Sequence, residues 1–323
     1  MLSARTALTL DELRARMRPR AIVGISALLL PYRVDGRPDW DAFAGRLQAT
    51  TGAGLRPAVN MDTGYVDLLT DAERSQVLRI TAEVLGDTPF VGGAFVEGRA
   101  GDLVSLYCAA AEEVRAHGGT PILFQSSALK ALSDHAVIDV YRGVAERVGP
   151  ILGFELGEMF APFGRIYSLE MFADLLQIPN LVGIKHSSLD RELEWQRLAL
   201  RDQFRPDFKL YTGNDLAIDM VIYGSDYLLG LSAFAPEAFA LRDRLWADGD
   251  LHFFVVNDAL QSLGSFAFRA PVPGYKHSAA QFLYLGGHIP APAPHPGAVS
   301  RPPSDIPVLE RILERLNAVT ASI

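Results

Sequence analysis

The chain has 323 residues, 49% of them apolar and 21% charged, with a formal charge of −8. That length suits one (β/α)8 barrel with an appendage, and the apolar content supplies a large core, which excludes a disordered chain. The acidic balance and the lack of any basic run argue against nucleic acid as a partner.

Other classes fall in the same way. The longest apolar run, residues 21–31, is too short to cross a bilayer, so no membrane partner is expected. Cys108 is the single cysteine, which forbids an internal disulfide. Its surroundings, Tyr107-Cys108-Ala109-Ala110-Ala111, read as a packed helix face, and a buried structural thiol is expected there. The first stretch, through Arg20, is Arg-rich, but Asp11 and Glu12 argue against a transit peptide. The expectation is a cytoplasmic enzyme with an N-terminal extension over residues 1–20.

Short apolar runs then alternate with amphipathic segments. Strands are expected at 21–30, 56–61, 89–95, 120–125, 150–155, 181–185, 208–212 and 227–231. Between them lie helical patterns, clearest over 71–85, where Val77, Leu78, Ile80, Val84 and Leu85 share a side, and again at 168–176 and 189–200. Eight strands each followed by a helix imply parallel pairing, and continuous apolar strands fit burial on both faces. The architecture expected is an α/β (β/α)8 TIM barrel over residues 21–245, with a doubly wound open sheet as the alternative. Beyond it, helices at 251–267, 278–285 and 307–316 have no strands between them, and 290–303 is Pro-rich and extended. Residues 246–323 therefore read as a helical appendage.

In a parallel barrel, chemistry sits at the C-terminal strand ends. Lys185 ends the run Leu181-Val182-Gly183-Ile184, one of only four lysines beside Lys130, Lys209 and Lys276. A lysine there with apolar walls is desolvated toward the free amine, which attacks a ketone to give an iminium electron sink. It could equally salt-bridge across the barrel or snorkel to the rim. Lys130 falls in a loop, Lys209 starts a strand and Lys276 lies in the appendage.

His186 is the one strand-ending histidine of seven, and no metal-binding spacing occurs, so neither a metal nor a cofactor is expected. The turn Asp62-Thr63-Gly64 offers a hydroxyl and backbone donors suited to a carboxylate. Thr70 already supplies the next helix cap, which leaves that turn without an obvious structural duty. Glu155 ends an apolar strand, where a charge is costly. It reads as a general acid or base of raised pKa, or as the ion-pair partner of Arg165 or Lys185.

Gly183-Ile184-Lys185-His186-Ser187-Ser188 resembles the G-[IL]-K-[DE]-[ST]-[ST] signature of the dihydrodipicolinate synthase / N-acetylneuraminate lyase family. Met61-Asp62-Thr63-Gly64-Tyr65, followed by Leu69-Thr70 and Asp71-Ala72-Glu73-Arg74, is similar to its G-T-T-G-E and L-T-x-E-E-R. Pro31-Tyr32, Asp35-Gly36, Thr212-Gly213-Asn214-Asp215 and Gly224-Ser225-Asp226 with Leu229 follow the family's order from about residue 21 onward. The resemblance implies a barrel with a C-terminal helical region and a homotetramer. It implies Lys185 as the Schiff-base residue and Thr63 and neighbouring N–H groups (with Gly64) as the 2-oxo acid's carboxylate site; Ser187 and Leu229 are further candidate substrate contacts, and Arg165, near a longer loop at 158–164, is the candidate in place of the family's carboxylate-binding Arg, which has no clean counterpart.

The departures are specific. Phe154 and Glu155 stand where the family has Tyr and Asn of Y-N-x-P, and phenylalanine carries no transferable proton. Ser126-Ser127 replaces P-Y-Y, Asp62 the first Thr, and Tyr65 the Glu. The function expected is a Schiff-base lyase, aldolase or dehydratase, on a small 2-oxo acid such as pyruvate or a 2-oxo-3-deoxy sugar acid. Asp62, Tyr65 and Glu155 are its replacement proton-transfer groups. The alternatives are dihydrodipicolinate synthase proper and a non-catalytic 2-oxo acid binding protein.

Overall fold

The computed structural model describes residues 9–323. The first eight positions of the expected N-terminal extension lie outside the described residues; Leu10–Arg16 forms helix α1. The strands are β1 (Gly24–Ala27), β2 (Arg56–Val59), β3 (Val91–Ala94), β4 (Thr120–Leu123), β5 (Ile151–Leu156), β6 (Leu181–Ser187), β7 (Lys209–Thr212) and β8 (Asp226–Leu229). They pair in chain order and the sheet closes, so the expected (β/α)8 barrel is present and the open sheet is excluded.

Helices α2 (Trp40–Gly52), α3 (Asp71–Leu85), α4 (Leu103–Ala116), α5 (Ser127–Lys130), α6 (Asp134–Val148), α7 (Leu169–Leu175), α8 (Arg191–Phe204) and α9 (Pro236–Ala247) follow the strands, with α5 and α6 both after β4 and a 3-10 helix, Ile218–Tyr223, after β7 where an α-helix was expected. Their starts are written in the sequence. Asp39, Thr70, Asp102, Ser126, Ser133, Ser168 and Asp190 each accept a first-turn N–H with the side chain. Thr70 and Glu73 complete a capping box, so α3 has the bounds its periodicity gave. The Ser126 cap also moves Lys130 from the expected loop into the short helix α5.

The chain divides into two compact units. The first contains Val91–Tyr227 with the segment ending at Arg18. Its core packs Val137, Tyr141 and Val144 of α6 with Ile151, Ile184 and Leu210 from the strands and Phe172 from α7. Cys108 lies in this core, and burial pushes its thiol up, as suits a structural cysteine.

The second unit contains Pro19–Phe90 and Leu228–Ile323. Helices α10 (His252–Ala267), α11 (Tyr275–Leu285) and α12 (Ile306–Ala321) follow α9 without an intervening strand. A 3-10 turn over Val272–Gly274 leads straight into α11, which therefore begins three residues earlier than the sequence pattern suggested and places Tyr275 and Lys276 in its first turn. The Pro-rich stretch is tied down from within. Arg301 donates to the carbonyls of Ala267, Arg269, Ala270 and Pro271, and so fixes the connection between α10 and α11.

Candidate active site

Lys185 lies on β6, and the strand continues two residues past it to Ser187. The register pairs Phe154 with Lys185, Glu155 with His186 and Leu156 with Ser187. Side chains alternate along a strand, so Phe154, Lys185 and Ser187 share one face of these strands while Glu155 and His186 share the other. Lys185 Nζ stands 4.5 Å from the centroid of the Phe154 ring, and Lys185 is only 7% exposed.

Phe154 meets Phe124 edge to face at 4.9 Å, and Phe124 in turn meets Phe95 and Phe163. The residue that cannot transfer a proton is thus part of an aromatic wall beside the lysine. On the β7 side, Gly213 leaves space: a Cβ there would lie 2.7 Å from Lys185 Cε and closer still to Ser187 Oγ. Ser187 Oγ and Asn214 Nδ2 are buried with no hydrogen-bond partner among the described residues, a polar demand at adjacent strand ends.

Glu155 faces the other way. Its carboxylate accepts from Arg197 at 2.7 and 2.6 Å, from His186 Nδ1 at 2.8 Å and from the Tyr167 N–H at 3.0 Å. Burial works to raise its pKa, but Arg197 and His186 outweigh burial and bring it down to about 2. The expected raised pKa is therefore corrected, and so is the partner: Arg197 and His186 stand where Arg165 or Lys185 had been expected. His186 is completed by Ser188 Oγ at its Nε2, 2.7 Å away, and burial lowers its pKa. This network ties β5 and β6 to α8, fixing the strand that carries Lys185.

Arg165 is also placed elsewhere. Its guanidinium donates to the Leu132 carbonyl and to Asp134, so its charge serves the start of α6.

The second unit holds a separate cluster. Asp62, Thr63 and Gly64 form a 3-10 turn after β2, and the Gly64 N–H is spent on the Met61 carbonyl. Asp62 Oδ1 accepts from Lys276 Nζ at 2.8 Å, and Oδ2 accepts from the Tyr275 hydroxyl at 2.8 Å. The Tyr275 hydroxyl is also 2.9 Å from Thr63 Oγ1. All four side chains are buried. Gly230, just beyond Leu229 and β8, makes room: a Cβ there would lie 2.9 Å from Thr63 Oγ1 and 3.1 Å from Tyr275 Cε2.

Tyr65 is buried with φ 62°, and Lys276 Nζ lies 5.6 Å over its ring. Burial holds its phenol far above the ordinary value. Tyr275 and Lys276 were missed by sequence reasoning. The available signal was weak: Asp62 lacked a structural duty, and Lys276 was one of four lysines. Among the described residues no three His, Cys, Asp or Glu side chains are grouped to hold a metal, and no helix is long and apolar enough to cross a membrane.

Comparison with known proteins fits these features. A family model described as "Protein of unknown function (DUF993)" matches residues 39–300. The 4-hydroxy-tetrahydrodipicolinate synthase of Xylella fastidiosa is 30% identical over 219 residues, covering 67% of this chain and 69% of the relative. That of Stenotrophomonas maltophilia strain K279a is 28% identical over 298 residues, covering 89% and 97%. Among solved structures, a prophage protein of the dihydrodipicolinic acid synthase family from E. coli K12, in complex with pyruvate, has a TM-score of 0.81 at 16% identity, covering 92% of this chain and 98% of its own. The dihydrodipicolinate synthase of Acinetobacter baumannii complexed with pyruvate has a TM-score of 0.76 at 18% identity, covering 92% and 99%; at such identities these two structures speak for the fold. The chain belongs to the DUF993 family and is a divergent member of the dihydrodipicolinate synthase / N-acetylneuraminate lyase family of class I lyases.

Proposed function

We propose that the protein is a class I lyase in which Lys185 Nζ forms a Schiff base with the carbonyl of a small 2-oxo acid, pyruvate or a 2-oxo-3-deoxy sugar acid. The observation that carries this reading is the setting of Lys185: nearly buried at the end of β6, walled by the Phe154 ring and given room by Gly213. An amine so placed can add to the carbonyl of a bound 2-oxo acid, and the iminium that forms withdraws electrons from the neighbouring carbon. The reading is supported by the names of the relatives and by the pyruvate bound in two structural neighbours.

In the same reading, the sequence resemblance gives the carboxylate to the Thr63 hydroxyl, and the buried Ser187 hydroxyl meets an oxygen of the substrate. Leu229, wholly buried at the end of β8, limits the substrate's size. The loss of a hydroxyl at Phe154 favours a lyase other than dihydrodipicolinate synthase proper. A homo-oligomer accords with the resemblance, and light scattering after size exclusion measures it.

The test is reductive trapping. Incubation with pyruvate and borohydride should add one reduced pyruvate to the peptide that holds Lys185, and Lys185→Met should abolish the adduct. If wild-type protein gives no adduct with pyruvate, 2-oxobutyrate or a panel of 2-oxo-3-deoxy sugar acids, the lyase reading falls and a non-catalytic binding protein takes its place.

A further inference from the structure

The face of β6 opposite Lys185 carries a second set of reactive groups, all within the first unit. His186 and Glu155 are register partners on β6 and β5, and both side chains are wholly buried. Arg197 holds the Glu155 carboxylate ionised, so toward His186 it can only accept. The imidazole Nδ1 therefore carries the proton of their 2.8 Å contact. Burial lowers the imidazole pKa and keeps the ring neutral at neutral pH. Its Nε2 is then a bare lone pair, and Ser188 Oγ lies 2.7 Å from it. The Asp190 carbonyl is the other acceptor for Ser188, at 3.2 Å, so the shorter contact takes the hydroxyl proton. The contacts run Ser188 to His186 to Glu155: a hydroxyl, a base, and a carboxylate that orients the base.

Three features around Ser188 suit a nucleophile. The residue is half-buried while its two partners are wholly buried, so the hydroxyl is the end of the chain of contacts that a reagent reaches. Leu189 has φ 60°, an uncommon conformation for leucine, so the backbone turns sharply just past the hydroxyl. The N–H that follows a nucleophile is a place from which an oxyanion is stabilised, and the Leu189 N–H donates to no carbonyl among the described residues. The Asp190 N–H donates to Ser188 Oγ at 3.1 Å and holds the oxygen in place. Asp190 is also the cap of α8, so the hydroxyl stands by the positive end of a helix of 14 residues. A serine that only closed this turn would need neither the bare Nε2 nor the anchored carboxylate behind it.

We propose that Ser188, His186 and Glu155 form a second catalytic site, a serine nucleophile with its base and orienting carboxylate, that takes acyl groups from activated esters. Ser188 Oγ bonds to the ester carbonyl carbon while its proton passes to His186 Nε2 and the carbonyl electrons move onto oxygen. Collapse breaks the bond to the leaving oxygen, which takes the proton from His186, and leaves acyl-Ser188. Water then attacks the acyl carbon, giving its proton to His186, and the carboxylic acid departs as Ser188 recovers its proton. Glu155 touches no reacting atom; it positions His186. Lys185 takes no part in these steps, so the site stands whatever the outcome for the lyase reading.

Diisopropyl fluorophosphate tests the nucleophile on the full chain, since attack by a serine oxygen expels fluoride and leaves a stable phosphoryl ester. Mass spectrometry should find one such group, on the peptide that holds Ser188, and Ser188→Ala should remove it. His186→Gln should label about 10²-fold more slowly or worse, the scale of a lost general base. With 4-nitrophenyl acetate, wild-type protein should release a burst of one nitrophenolate per chain that Ser188→Ala lacks. The labelling rate should fall in acid as His186 takes a proton, with a midpoint below 6.5. The charged groups that face His186 are Glu155 on β5, Arg197 on α8 and Asp190 before α8. In Glu155→Gln the carboxylate that favours the imidazolium is gone, so the midpoint should move to lower pH, a shift that a merely structural Glu155 would not produce. No adduct on wild-type protein, an adduct on another residue, or His186→Gln labelling within about threefold of wild type would each overturn the site. If His186→Gln or Glu155→Gln fails to fold, the wild-type profile decides, and a rate independent of pH wherever the chain stays folded rules His186 out as the base.

Discussion

Phe154 and Lys185 are register partners on β5 and β6, and the lysine nitrogen lies 4.5 Å from the centre of the phenylalanine ring. The ring excludes water from one side of the amine and is itself locked edge to face against Phe124. Removing it leaves a cavity. Phe154→Ala should cost about 3–5 kcal/mol in urea unfolding, and Phe154→Leu less than roughly 1.5 kcal/mol. Phe154→Tyr puts a hydroxyl into an aromatic wall and should cost about 1–3 kcal/mol. It should also leave the exchange of pyruvate methyl protons in deuterium oxide, followed by proton NMR, at or below the wild-type rate. A Phe154→Tyr variant that exchanged faster than wild type would mean that a hydroxyl at the strand-five position serves proton transfer here.

Arg197 and Glu155 form a buried bidentate pair with His186 on the same carboxylate. Removing one partner strands a charge, so Arg197→Met should destabilise by about 3–5 kcal/mol. The pH dependence follows from the directions of the shifts. Glu155 sits at about 2 in the folded chain against 4.5 for an exposed glutamate, so its contribution is complete above about 4.5 and is lost as pH falls toward 2. His186 is also lowered, so its contribution starts to be lost as pH falls below 6.5. Wild-type stability should drop steeply in acid, and Glu155→Gln should flatten the segment below about 4.5; an unchanged slope there would remove Glu155 from the acid transition.

Glu194 titrates in the opposite sense. It is wholly buried on α8, where desolvation pushes it up to about 7 against the hydrogen bonds from Ser225 and Thr212. The folded chain therefore holds this proton more tightly than the unfolded chain does. Stability is favoured below about 4.5 and declines as pH rises from there through about 7. Glu194→Gln removes that decline. Its stability relative to wild type should climb with pH across this window, by at most about 1.4 kcal/mol per pH unit, and level off beyond it. Denaturant titrations of both proteins from acid to mildly alkaline buffer measure the difference, and a constant offset across the window would refute the assignment.

Much of this was legible in one sequence because barrel strands and helix caps are local signals. Each of the eight apolar runs became a strand, and Thr70 with Glu73 sets the start of α3 through contacts three residues apart. Lys185 was legible because its neighbours form a continuous motif. The partners of Glu155 were not. Arg197 lies 42 residues away on α8, and only strand parity combined with helix position shows that the two meet behind the sheet. The Asp62 contacts span still more chain: Tyr275 and Lys276 are 213 and 214 residues distant. Side-chain alternation tells where a residue faces relative to its strand, but nothing local reveals which helix comes to meet it.

Two glycines leave space beside the side chains of the two units. An alanine methyl at Gly213 would press on Ser187 Oγ and on Lys185 Cε, so Gly213→Ala must shift the lysine stem. An alanine methyl at Gly230 would press on Thr63 Oγ1 and Tyr275 Cε2, which opens the Thr63–Tyr275 contact. Each change should cost about 1–3 kcal/mol as overpacking. Gly213→Ala should slow pyruvate trapping about tenfold or more, because a small displacement of a reacting atom is expensive. Gly230→Ala is read by urea unfolding alone, and a Gly213→Ala variant that trapped pyruvate at the wild-type rate would mean that the position of the Lys185 stem does not limit imine formation.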